Sequence, residues 1–136
     1  MEFNDDQAIY LQIADRFCEN ILLKKWKPGD RIPSVREMAV DVEVNPNTVM
    51  RTFTYLQDQG IIFNKRGIGY FVSDDGFQKT KDLRKEAFVH QELPRLFKEM
   101  QLLNLTMKDM TAYYEQYESQ HKNKSIPSDN EEAGSS

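Results

Sequence analysis

The stretch VNPNTVMRTF, Val44 to Phe53, decides how the rest of the chain is read. Asn45 is a good helix N-cap, because its side-chain oxygen can accept a free backbone N–H. Pro46 then falls at the first helical position, where a missing N–H is no loss. The helix is expected to run to about Gln59, with Gly60 ending it. On a helical wheel Val49, Thr52, Phe53 and Leu56 cluster on one side, while Asn47, Arg51, Thr54 and Asp58 lie roughly opposite. Met50 and Tyr55 occupy the flanks. The inner side anchors the helix on a core. The outer side carries Asn47 and Arg51 one turn apart near a helix N-terminus, and these side chains can hydrogen-bond adenine or guanine edges in a major groove. The free N–H groups and positive dipole of that terminus suit phosphate. A merely solvated helix face has the same composition, so the flanking segments must discriminate.

Upstream, Gln7 to Lys25 reads as a helix, with Ile9, Ile13, Phe17 and Ile21 recurring every four residues and Asp5 or Asp6 as its cap. Pro28-Gly29 breaks the pattern, and Asp30-Arg31-Ile32 is long enough for a very short strand. Ser34-x-x-Glu37 forms a capping box ahead of Val35, Met38, Ala39 and Val42, giving a short helix from Ser34 to Asp41 or Val42. About four residues link this helix to the one at Pro46, the spacing of a helix-turn-helix. Downstream, Ile61–Lys65 and Gly69–Val72 read as strands around an Arg66-Gly67-Ile68 turn. The tip of that hairpin, Lys65-Arg66-Gly67, is basic, and a basic hairpin after a helix-turn-helix is the outline of a winged helix.

From Gln78 the helical pattern resumes through Leu83, Ala87, His90, Leu93, Phe97, Met100 and Leu103, with a kink expected between His90 and Pro94. Thr106-x-x-Asp109 caps a last helix whose Met107, Met110, Tyr114 and Tyr117 form a narrow apolar seam. The fold class expected is mainly α with a small β-hairpin. A winged helix-turn-helix domain over 1–76 precedes a two-helix arm over 77–120, and the polar 121–136 is expected to be disordered.

Composition bounds the function. The 136 residues carry 39% hydrophobic and 29% charged side chains, ordinary values for a globular protein of one domain plus an appendage. Two histidines and the single Cys18 cannot build a cysteine-cluster zinc site or an internal disulfide, and no metal or cofactor is expected. His90 reads as a packing residue, Cys18 as a buried thiol, and Tyr113, Tyr114 and Tyr117 as part of the seam rather than a cofactor box. No catalytic constellation emerges, so the chain is not expected to be an enzyme. No apolar run approaches a membrane span, and the acidic MEFNDDQ start is unlike a signal peptide, which together give the expectation of a soluble cytoplasmic protein. The net charge of −4 speaks against nucleic acid unless the contact surface is locally basic. Residues 31 to 72 meet that condition: Arg31, Arg36, Arg51, Lys65 and Arg66 outweigh Glu37, Asp41, Glu43 and Asp58 by one charge.

The ordered series Gly29-Asp30-Arg31-Ile32-Pro33-Ser34-Val35-Arg36-Glu37-Met38-Ala39, Val44-Asn45-Pro46-Asn47-Thr48-Val49, Leu56, Gly60-Ile61-Ile62 and Arg66-Gly67-Ile68-Gly69-Tyr70-Phe71-Val72 resembles the GntR family of bacterial transcription regulators. The resemblance covers about residues 8 to 73. It implies a winged helix-turn-helix that binds double-stranded operator DNA as a homodimer and acts as a repressor. It implies DNA contacts by Arg36, after the Pro-Ser pair, by Asn45, Asn47 and Thr48 at the start of the recognition helix, and by Gly67 at the wing tip. Many members have arginine where Pro46 and Met50 stand here. Asn-Pro-Asn-Thr instead resembles the short-tailed YtrA-like subgroup, in which Arg51 is the natural base or phosphate contact. Ser34, Lys65 and Arg66 complete the expected DNA surface. Leu83, Ala87, His90, Leu93, Phe97, Met100, Leu103, Met110, Tyr114 and Tyr117 form the expected dimer interface. Two readings stay open beside this one: an arm folded back on its own domain, and a winged-helix module that contacts protein instead of DNA. The sequence names neither an operator nor a small-molecule effector.

Overall fold

Ile13, Phe17 and Ile21 stand one turn apart, and with Ala14 and Cys18 they make the buried stripe of α1, Ile9–Leu22. The computed structural model describes residues 1–122 and divides into a unit of Met1–Arg84 and a second that starts at Lys85. In the first unit α1 is followed by α2, Val35–Val42, and α3, Pro46–Asp58. An antiparallel hairpin comes next, β1, Ile62–Lys65, pairing Ile62 with Val72 and Lys65 with Gly69 of β2, Gly69–Val72. The start of α4, Gly76–Ala87, completes the unit.

The core is the space enclosed by α1, α2, α3 and the hairpin. Phe53 of α3 meets Phe17 edge-on at 5.3 Å and Tyr70 at 4.7 Å, and Phe17 in turn meets Trp26 at 4.9 Å. This run of edge-to-face rings ties α1, the loop after it, α3 and β2 together in geometries that aromatic quadrupoles favour. Ile32, Met38, Val42, Val49, Leu56, Ile61 and Val72 fill the remaining volume.

The caps of α2 and α3 fall where the sequence places them. The Ser34 hydroxyl accepts from the Glu37 N–H at 3.1 Å, and the Glu37 carboxylate accepts from the Ser34 N–H at 3.2 Å. Asn45 accepts from the Asn47 N–H at 2.8 Å. Gly60, at φ +74, ends α3 as expected.

Two expectations need correction. The first helix is shorter than Gln7–Lys25 and takes no cap from Asp5 or Asp6, because Ala8 occupies the N-cap. The reason lies in Gln12, whose side chain donates to the carbonyls of Asn4 and Gln7 and accepts from the Asn4 N–H, folding residues 4–7 back as a loop. At the other end Lys24 adopts φ +61, outside helical geometry. Asp30-Arg31-Ile32 is reduced from a strand to a single bridge, Arg31 to Phe71, flanked by Ile32 N–H to Tyr70 and Val72 N–H to Asp30.

In the second unit a π-helical turn, Phe88–Glu92, separates α4 from α5, Leu93–Leu102. It sits immediately before Pro94, which lacks the N–H a continuous helix would use and crowds the carbonyl one turn back. Where a kink is expected, between His90 and Pro94, the chain carries this π-helical turn. Asn104, at φ +56, turns the chain, and the Thr106–Asp109 capping box opens α6, Met107–Gln120. Apart from His121 and Lys122, the tail expected to be disordered lies outside the described residues.

Cys18 lies 1% exposed in the core, and burial pushes its thiol up from 9.0 to about 11, partly offset by the Arg84 guanidinium. An acid whose folded pKa is raised stabilises the fold below its unfolded pKa and loses that contribution as pH climbs through the folded value. Stability should therefore fall by roughly 2–3 kcal/mol from Cys18 alone between pH 9 and 11. Urea titrations of wild type and Cys18→Ala across that range test it, because the alanine variant should show the shallower decline.

Candidate nucleic-acid interface

Three exposed features of the first unit belong to the expected surface, and each is held by a different local device. At the N-terminus of α2 the Ser34 hydroxyl is half-buried and engaged by the cap, accepting from the Glu37 N–H. Arg36 projects from the same turn and is exposed. The capping hydrogen bonds from Ser34 hold the Glu37 carboxyl below its usual range, so the box stays formed until pH falls through that lowered value.

The turn between α2 and α3 is made by Glu43 in the left-handed region, at φ +56, followed by Val44 and the Asn45 cap. The α3 helix then divides as its wheel predicts. Val49, Thr52, Phe53 and Leu56 are completely buried, whereas Asn45, Asn47, Arg51, Thr54 and Asp58 are exposed and Thr48 is half-buried. Asn47, Arg51 and Thr54 line one shallow, open depression with Tyr10, Met50, Tyr55 and Asp58.

The hairpin tip is the third feature. Lys65, Arg66, Gly67 and Ile68 are all exposed, and the turn closes through Ile68 N–H to the Lys65 carbonyl at 2.9 Å. Gly67 has φ +78 with open space where a Cβ would stand.

Sequence reasoning missed the side chains that hold these cations. The Arg51 guanidinium lies 4.2 Å from the centre of the Tyr10 ring. The Lys65 ammonium lies 4.8 Å from the Phe71 ring, which stacks on Phe63 at 5.7 Å. Arg31 lies across β2 so closely that a Cβ at Gly69 would come within 3.0 Å of its Nε. Only the period-two alternation of the strands, which puts Phe63, Lys65 and Phe71 on one face, hinted at any of this.

A family model for bacterial regulatory proteins, gntR family, matches residues 9–72. A GntR-family transcriptional regulator from Bacteroides thetaiotaomicron is 47% identical, with a TM-score of 0.69 over 83% of this chain and 99% of its own. The chain belongs to the GntR family. Two relatives from Bacillus subtilis are each 38% identical. The HTH-type transcriptional regulator YhcF is covered over 80% of this chain and 88% of its own length, and the transcriptional repressor YtrA over 65% and 67%. Membership makes this GntR chain a DNA-binding transcriptional regulator of winged helix-turn-helix type rather than an enzyme, and likeness to YtrA supports the short-tailed subgroup. The likeness to YhcF and to the Bacteroides protein continues past residue 72 into the helical arm. Among the described residues no helix is long and apolar enough to cross a membrane.

The expected arm residues are placed unequally. Leu83 packs against the core of the first unit, and Met100 is buried. Leu93 and Met110 are half-buried, while Ala87, His90, Phe97, Leu103, Tyr114 and Tyr117 are exposed.

Because the space around Gly67 is open, only its backbone geometry opposes substitution. Gly67→Asn should be tolerated, since asparagine enters the left-handed region readily, while Gly67→Val should cost about 1–2 kcal/mol. Denaturant unfolding distinguishes them, and equal stability of the two variants would remove the strain argument.

Proposed function

We propose that this regulator is a repressor that binds an inverted-repeat operator as a homodimer. The observation that carries the reading is the division of α3, whose inner face is fully buried while Asn47 and Arg51 are exposed one turn apart beside a capped N-terminus. In this reading α3 enters the major groove, and Arg51 and Asn47 contact base edges or phosphate. Asn45 and Thr48 approach the backbone at the helix start. Ser34 and Arg36 grip phosphate from α2, and Lys65, Arg66 and Gly67 follow the adjacent groove from the wing. The relative YtrA is a repressor by name, which supports the sign of regulation.

Dimerisation is supported by the arm. None of the 14 residues of α6 is buried, and Tyr113, Tyr114 and Tyr117 are each more than half exposed. Phe88, Leu102, Leu103 and Met107 add apolar surface that is likewise more than half exposed. An apolar surface of this kind in a single chain is covered most economically by a second copy. A two-fold pair would set two α3 helices about 34–36 Å apart, one turn of DNA.

Selection of DNA fragments by the purified protein at about 150 mM salt tests the whole reading. Enrichment of an inverted repeat carrying two chains is the expected result, and salt-sensitive binding with no enriched sequence counts against it. On the selected site Arg51→Ala should cost about 1–3 kcal/mol, and Lys65→Ala or Arg66→Ala should each reduce the salt slope by roughly one. Operator affinity that is unchanged in all three variants removes the proposed contact surface. Phe97→Glu, read by sedimentation, should shift the protein toward monomer and weaken operator binding together; a variant that stays dimeric excludes Phe97 from the interface.

A further inference from the structure

We infer that Tyr10 is a positioning residue that holds the Arg51 guanidinium ready for DNA before DNA arrives; the inference rests on the operator-contact reading above. Tyr10 lies in the first turns of α1, far from α3 in sequence, yet three residues of α3 converge on it. The Arg51 guanidinium lies over its ring, 4.2 Å from the centre, well inside cation–π range. The Tyr55 ring, one turn further along α3, meets the Tyr10 ring edge-on at 6.3 Å and 74°. The buried Thr52 hydroxyl donates to the Tyr10 backbone carbonyl at 2.8 Å, which locks the register of α1 against α3 at the same residue.

The type of contact matters more than its strength. A carboxylate partner would occupy the donors of Arg51, and those are the groups that recognise guanine or phosphate. An aromatic ring attracts the guanidinium through its charge and offers no lone-pair acceptor, so the contact leaves the N–H donors of Arg51 for DNA. The Tyr10–Arg51 pair borders the same open depression as Asn47, Thr54 and Asp58, so the guanidinium lies beside Asn47, the other candidate base-reading side chain there. An arginine without such a platform must be ordered when DNA binds, and ordering one long side chain corresponds to about 2- to 10-fold in affinity.

A double-mutant cycle on the selected operator fragment tests this. Dissociation constants are measured for wild type, Tyr10→Phe, Tyr10→Leu, Arg51→Ala and the Tyr10→Leu/Arg51→Ala pair, after thermal unfolding shows each to be folded. Tyr10→Leu should weaken binding about 2- to 10-fold, and Tyr10→Phe, which keeps the ring, should stay within about two-fold of wild type. In the Arg51→Ala background Tyr10→Leu should change nothing further, because the side chain it positions is gone. Equal losses in both backgrounds overturn the inference by showing that Tyr10 acts without Arg51. A loss in Tyr10→Phe as large as in Tyr10→Leu also overturns it, by assigning the effect to the hydroxyl. If Arg51→Ala weakens binding but Tyr10→Leu does not, the positioning role alone has failed. If Arg51→Ala has no effect, the operator-contact reading of Arg51 has failed and the inference falls with it. Should the leucine variant unfold, Tyr10→Met repeats the cycle with a flexible, ring-free side chain that adapts to the vacated space.

Discussion

The burial of one side of α3 is the constraint on which the first unit depends. Val49, Phe53 and Leu56 have no exposed surface, and Phe53 joins the aromatic run that links α1 to β2. Thr52 sits among them as a polar group with no access to water, and its hydroxyl is satisfied by the Tyr10 carbonyl. Leaving a buried hydroxyl without a partner is costly, so this hydrogen bond fixes the register of α1 on α3 as well as closing the core. Loss of that anchorage would free the outer face of α3 to rotate, and no fixed arrangement of Asn47 and Arg51 would survive.

The same anchorage lets an acidic protein present cations. The chain carries a net charge of −4, yet Arg36, Arg51, Lys65 and Arg66 all stand exposed on α2, α3 and the wing. Two of the four rest on aromatic rings, Arg51 on Tyr10 and Lys65 on Phe71. A ring supports a cation without neutralising it, so these charges keep their field and their donors while losing some conformational freedom. The wing adds a second economy, in that Gly69 has no side chain and the Arg31 guanidinium lies across the strand at that point.

Much of the fold was legible in local sequence because the signals act over a few residues. Ser34 with Glu37, Asn45 with Pro46, and Thr106 with Asp109 each mark a helix start through hydrogen bonds that close within four positions. The failure at α1 has the same origin in reverse. Asp5 and Asp6 have the chemistry of a cap, but Gln12 reaches back to Asn4 and Gln7 and folds that segment into a loop first. Likewise, Leu83 fits the helical period of the arm, yet it packs on the core of the first unit. Periodicity identifies an apolar face and says nothing about which surface covers it.

The sequence by itself determined the order of the main elements, the two faces of α3, the caps of α2, α3 and α6 and the position of the wing, because propensity, capping and alternation are properties of neighbouring residues. Family membership was legible for the same reason, since its motifs follow one another along the chain. Only the tertiary structure decided what supports the exposed cations. Tyr10 and Thr52 are 42 positions apart, and nothing in either neighbourhood announces the other. Their meeting, and with it the placement of Arg51 over the Tyr10 ring, arises when α1 and α3 bury their apolar stripes against the same core.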